Sequence, residues 1–273
     1  MKIVKELVLI ENIQNTSVKQ AVNEAKEEIL SAICNIRTEG KAGFYFNPRS
    51  VAQVIEGRRV CGNGVKPIKE PFLTELKSKD WENEFPAQTV VDVVVSIKEI
   101  KKIGKSKKVL YGLIQAIDRE NETLEYLDKQ GHTQEVRIDS EFDSLISDKE
   151  LIGKLVSMKT ASPGNLDLCK LFDDQLVAVE WETGNISSSH RALNKMTMLI
   201  QREYIAAGFL VVPNRKMGKF ITDRIGNYEE LRAYFPLWSS IPVSSGGLYI
   251  IVVEHDGLDK TAPFLNKGRD GMS

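Results

Sequence analysis

Seven residues, Leu176-Val-Ala-Val-Glu-Trp-Glu182, read as a largely buried strand. Strand periodicity turns Val177, Val179 and Trp181 one way and Ala178, Glu180 and Glu182 the other. Asp167 lies on a preceding strand expected over 166–171, and a hairpin or crossover between the two would set it beside Glu180. Three such carboxylates repel one another unless a cation sits among them. Hard oxygen donors suit Mg²⁺. That ion polarises a phosphate and acidifies a bound water, and two ions serve both the attacking and the leaving oxygen. A Glu-x-Glu on a strand is more often a solvated face, and on these residues alone both readings stand.

The residues that follow bear on that choice. Gly184-Asn185 is a turn signal, and the serines after it are good caps for a helix expected over 187–202. Ser187 and Arg191, four apart, share one face of that helix. Its N-terminus favours phosphate oxygens, and Asn, Ser and Arg are side chains that read base edges in a major groove. Leu193, Met196, Leu199 and Ile200 supply its packing face. Taken alone, the tip also reads as a polar cap with a surface arginine. His190, beside Arg191, reads as structural or phosphate-contacting, and His132 and His255 have no partner in sequence. Ile103-Gly-Lys-Ser106 is no phosphate loop, because Glu99 stands where its first glycine belongs.

Around this segment the chain alternates elements. A helix is expected over 16–34, with Val18, Ala21, Ala25, Ile29 and Ala32 on one face and Thr16 or Ser17 as its cap. Residues 40–66 read as loops with short extended pieces, and a second helix is expected over Pro71–Lys79. Strands are expected at Thr89–Ile97, Val109–Ile117, Glu122–Leu127, Gln134–Ile138 and Ile152–Met158. From Leu166 onward strands at 166–171, 176–182, 206–212 and 247–253 mix with helices at 187–202 and 228–235. The expectation is an α/β protein with a mixed central sheet flanked by helices, formed by 1–87 and 160–273, and an inserted small all-β, barrel-like subdomain over 88–159.

The balance of 37 basic and 38 acidic residues excludes a strongly basic coat for nucleic acid, but not an enzyme whose metal-site acids offset a basic cleft. Three cysteines, Cys34, Cys61 and Cys169, without a CxxC pair, read as reduced thiols of a cytoplasmic protein. The N-terminal MKIVKELVLIENIQN is interrupted by charges and makes a poor signal peptide, and no membrane segment is expected.

The run from Glu180 to Lys195, EWETGNISSSHRALNK, resembles the active-site strand and following helix of the BamHI family of type II restriction endonucleases. The resemblance to the family extends to Asn63–Glu70, Trp81–Pro86, Ile221–Leu231 and Lys267–Ser273. The resemblance implies a restriction-endonuclease-like fold, a homodimer, and Mg²⁺, two ions per site. Asp167, Glu180 and Glu84 match the metal-binding acids of the family, and Glu182 matches the residue proposed there to activate water. Asn185, Ser187, Arg191, Asp223, Arg224 and Asp270 match base-contacting positions, and Lys69 matches a phosphate-proximal lysine. With all six readers present, the implied activity is hydrolysis of double-stranded DNA at GGATCC after the first G, leaving 5′-phosphate ends. The helix 187–202 and Tyr228–Phe235 match dimer contacts.

One stretch departs from the pattern of the family's namesake: about Gln88 to Met158 has no counterpart there. Lys98–Lys108, with six lysines in eleven residues, suggests a module that widens the DNA footprint, and equally a solvated basic turn. Three rivals stand beside the main reading. They are altered or modification-sensitive specificity around a GATC core, a non-cleaving sequence-specific DNA-binding protein, and a phosphohydrolase acting on small molecules.

Overall fold

The computed structural model describes residues 1–55, 58–60, 62–87, 89–95, 113–118, 123–127, 133–137, 156–161, 163–183, 185–221 and 226–265. In chain order these form β1 (Lys2–Asn12), α1 (Thr16–Cys34), β2 (Tyr45–Phe46), β3 (Gln53–Ile55), β4 (Arg58–Val60), α2 (Lys66–Lys77) and β5 (Glu82–Phe85). Next come β6 (Thr89–Val95), β7 (Leu113–Asp118), β8 (Thr123–Leu127), β9 (Thr133–Arg137) and β10 (Val156–Ala161). The chain continues with β11 (Leu166–Phe172), β12 (Gln175–Trp181), α3 (Ile186–Gln201), β13 (Ala207–Pro213) and the short helices α4 (Arg215–Gly218), α5 (Tyr228–Leu231) and α6 (Phe235–Ser239). It closes on β14 (Gly246–Glu254) and β15 (Gly257–Leu258). Two compact units result, one of Met1–Ala87 with Gly164–Ser273, the other of Gln88–Pro163.

The larger unit is built on a six-stranded sheet in the order β1-β14-β13-β12-β11-β5. It is mixed: β14, β13 and β12 run parallel, while β1, β11 and β5 are antiparallel to their neighbours. β13 and β14 are buried along their whole length, as strands covered on both faces must be. Alternation divides their side chains and those of β12 between two cores. Val177, Val179 and Trp181 pack with α1 and α2. Ala178 packs with Leu193 and Met196 of α3 and Trp238 of α6. Trp181 meets Phe72 of α2 with ring centroids 4.8 Å apart, which seats α2 against the strand that carries the glutamates. On the other face α3 lies close over β13 because Gly208 has no side chain. A Cβ there would fall 2.8 Å from Met196 Sδ and 2.9 Å from Met196 Cβ.

Several elements differ from the sequence expectation, each for a physical reason. α1 is capped by Asn15, whose side chain accepts from the Ser17 N–H, rather than by Thr16 or Ser17. α2 starts at Lys66, with Pro67 in its first turn, and runs through Pro71, so Lys69 is helical. β1 and β5 escaped sequence reading altogether. β1 carries register shifts between Ile3 and Lys5 and between Val8 and Ile10, which break its alternation. β5 is a four-residue polar edge strand with Glu84 at φ +53°.

The smaller unit contains an antiparallel sheet in the order β10-β6-β7-β8-β9. Among the described residues it is a five-stranded all-β sheet with β10 and β9 as its outer strands. Lys98–Lys108 lies outside the described residues.

Candidate active site

The acids gather where β11 and β12 part company. Their ladder pairs Phe172 with Gln175 and proceeds to Leu168 with Val179. Beyond that pair carboxylates replace backbone carbonyls as acceptors. The Trp181 N–H donates to Asp167 Oδ2 at 2.9 Å, and the Asp167 N–H donates to Glu180 Oε1 at 3.4 Å. On its far side β12 stays paired one residue further, the Glu182 N–H donating to Val211 O at 2.9 Å. The backbones of all three residues are therefore tethered at the splayed end of the sheet. A polar side chain caps this strand end just as it would cap a helix, since buried N–H groups must find acceptors.

Two lysines from opposite faces reach the acids. Lys69, in the first turn of α2, meets Asp167 Oδ2 at 2.7 Å. Lys195, in the third turn of α3, meets Glu180 Oε1 at 2.6 Å and donates to Asn165 O at 2.6 Å. The second pair is the more enclosed, with side chains 8% and 4% exposed. Burial, and after it the Asp167 charge, push the Glu180 carboxyl above its ordinary value against the pull of Lys195. Burial, then the charges of Glu180 and Asp167, push the Glu182 carboxyl up to about 7. Burial and the Glu180 charge also raise the thiol of Cys169 far above its ordinary range, keeping it protonated beneath the acids. Glu182 forms no hydrogen bond or ion pair with another described side chain, and Lys69 and Lys195 lower its proton affinity only through space.

Glu84 stands on the adjoining edge strand. The pairs Leu166 with Phe85 and Leu168 with Asn83 set it opposite Asp167. Its positive φ re-aims an exposed side chain, which accepts from Asn165 Nδ2 at 3.4 Å. Among the described residues no three acidic, histidine or cysteine side chains are drawn tightly enough together to hold one ion. The ion pairs account for this: Lys69 holds Asp167, Lys195 holds Glu180, and Glu84 turns to Asn165. The donor set nevertheless suits a divalent cation. It is hard oxygen throughout, and Asp167 and Glu180 each already carry a positively charged partner.

From this cluster the chain passes through Thr183 to the tip of α3. Asn185 caps the helix, its side chain accepting from the Ser188 N–H at 3.0 Å; the serines were expected in that role. Asn185, Ser187 and Arg191 are all exposed at the tip. His190 is held by rings, 4.5 Å from Tyr234 edge-on and 5.3 Å from Trp238. Asp223, Arg224 and Asp270 lie outside the described residues. Lys195 and Asn165 are the two site residues that sequence reasoning missed. The signal for Lys195 was available: it interrupts the apolar packing face of α3 between Leu193 and Met196.

Comparison with known proteins places this arrangement. The family model for restriction endonuclease BamHI matches residues 1–272. The chain belongs to the BamHI family of restriction endonucleases. The type II restriction enzyme OkrAI of Oceanobacter kriegii is 30% identical over 273 residues, spanning 100% of this chain and 99% of the relative. The type II restriction enzyme BamHI of Bacillus amyloliquefaciens is 31% identical over 123 residues, 44% of this chain and 55% of the relative. Among solved structures, the restriction endonuclease BGLII complexed with a DNA 16-mer aligns over 97% of this chain and 88% of its own, at a TM-score of 0.48 and 11% identity. Membership makes the protein a type II restriction endonuclease, a nuclease built on a mixed sheet flanked by helices.

Proposed function

We propose that the protein is a Mg²⁺-dependent endonuclease that cuts duplex DNA within GGATCC after the first G, acting as a homodimer. The observation that carries this reading is the direct contact of Asp167 with Glu180 at a splayed strand end, with the raised carboxyl of Glu182 beside them. Asp167 and Glu180, with Glu84 nearby, would hold the metal, which supplies charge neutralisation at the scissile phosphate and acidifies water. Glu182 is suited to take a proton from the attacking water, because a base whose pKa lies near 7 is about half ionised at neutral pH and is a useful acceptor. Lys69, partly exposed where it holds Asp167, offers its ammonium to a phosphate oxygen. Charge repulsion and desolvation among the acids are relieved when cations arrive, so the site is prepared for metal and phosphate together.

The tip of α3 supplies the specificity in this reading. Arg191 pairs with guanine O6 and N7, while Asn185 uses its amide nitrogen, the oxygen being spent on the cap. Asp223, Arg224 and Asp270 complete the reading by family resemblance. A palindrome calls for a two-fold dimer. Tyr234 and Leu237, 47% and 62% exposed beside α3, offer apolar area for a second copy. Altered specificity is the second reading, since 30% identity leaves room for changed base contacts. Incubating plasmid DNA with the protein and Mg²⁺, and mapping the ends by sequencing, tests both. Discrete cuts at GGATCC are expected; discrete cuts elsewhere favour the second reading, and an uncut plasmid refutes both.

A further inference from the structure

Lys195 is 9% exposed and stands in the packing face of α3, among Leu193, Met196 and Leu199, which are fully buried. An ammonium there costs desolvation that an apolar side chain of the same length would avoid, so packing alone does not explain it. Its partners do. One is Glu180 Oε1 on β12, and the other is the carbonyl of Asn165, the residue that leads into β11 two positions before Asp167. The side chain of Asn165 in turn donates to Glu84. One ammonium group thus holds the two strands bearing Asp167 and Glu180 at fixed separation and, through Asn165, reaches the third acid. The same lysine lies one helical turn beyond Arg191 and two beyond Ser187 on the same helix. α3 is a rigid lever of sixteen residues with its exposed tip at one end and its grip on Glu180 in the middle.

We propose that Lys195 is a positioning residue that ties the recognition helix to the catalytic carboxylates, so that seating the tip of α3 on the correct bases sets the geometry of Glu180 and Asp167. The inference rests on the endonuclease reading above. A displacement of about 1 Å in such a constellation is enough to cost about 100-fold in rate. The test uses a duplex containing one GGATCC. Metal-free binding is measured in EDTA and steady-state cleavage in Mg²⁺, for wild type, Lys195→Met, Lys195→Gln and Lys195→Arg. Lys195→Met is expected to lower kcat by about 100-fold while KM and the metal-free Kd stay within about threefold. Lys195→Arg, which keeps the charge and the donors, should recover about a tenth of the wild-type rate or more. The proposal is overturned if Lys195→Met keeps kcat within about threefold of wild type, or if arginine rescues no better than methionine. It is equally overturned if binding and cleavage fall together in both Lys195→Met and Lys195→Gln, since that marks a purely structural residue. A wild-type protein that cuts no DNA refutes the endonuclease reading itself, an outcome visible before any variant is compared.

Discussion

Replacing Glu182 by glutamine should make the metal-free protein more stable at pH 8, and much less so at pH 5. The carboxyl is raised from 4.5 to about 7 by burial and by the neighbouring charges of Glu180 and Asp167. A carboxyl whose folded pKa lies above its unfolded one favours the fold while protonated. Its contribution to stability is therefore favourable at low pH and is lost as pH climbs from about 4.5 to about 7. Above that window the fold bears the full cost of a buried, repelled charge. Each tenfold in proton affinity is about 1.4 kcal/mol, so the shift corresponds to about 3–4 kcal/mol at most, and solvent reaching the side chain lowers the expected gain to about 1–3 kcal/mol. Glutamine keeps the size of the side chain and removes the charge. Urea unfolding of both proteins in EDTA at the two pH values measures the difference directly. A variant no more stable than wild type at pH 8, or one whose gain is the same at pH 5, would refute the electrostatic reasoning.

Three further outcomes are expected. Glu182→Lys should abolish detectable cleavage yet leave sequence-specific binding measurable by gel shift, because it removes the proposed proton acceptor without touching the tip of α3. Asn185→Ala removes the side-chain cap on the Ser188 N–H and should cost about 1 kcal/mol in chemical denaturation, with a further loss of DNA affinity. Substituting the six lysines within Lys98–Lys108 by glutamine should flatten the salt dependence of DNA binding by about 0.9 in log–log slope for each phosphate no longer neutralised; an unchanged slope assigns that run to solvent.

Much of this arrangement was legible in the sequence, for reasons that particular residues make plain. The 176–182 run shows period-two alternation strong enough to fix which residues enter each core, and β12 carries Val177, Val179 and Trp181 to one core and Ala178 to the other. α1 and α3 follow the same logic at helical period. β1 was hidden by its register shifts and β5 by its polarity and the left-handed backbone at Glu84. The early start of α2 was obscured by Pro71, which reads as a first-turn residue although Pro67 plays that part. At the site, the nearness of Asp167 to Glu180 follows from a hairpin and was foreseeable. The grip of Lys69 and Lys195 on those acids was not, because it depends on which helices cross the two faces of the sheet, and that is decided by long-range packing rather than by local pattern.

The most direct trial of the central claim is single-turnover cleavage of a duplex with one GGATCC in Mg²⁺, comparing wild type with Asp167→Asn and Glu180→Gln. Each variant retains size and much of the hydrogen bonding but loses one negative charge. If these carboxylates hold the catalytic metal, wild type cleaves rapidly, each variant loses about a thousandfold or more, and metal-free affinity for the duplex stays close to wild type. Cleavage by either variant at the wild-type rate would contradict that role.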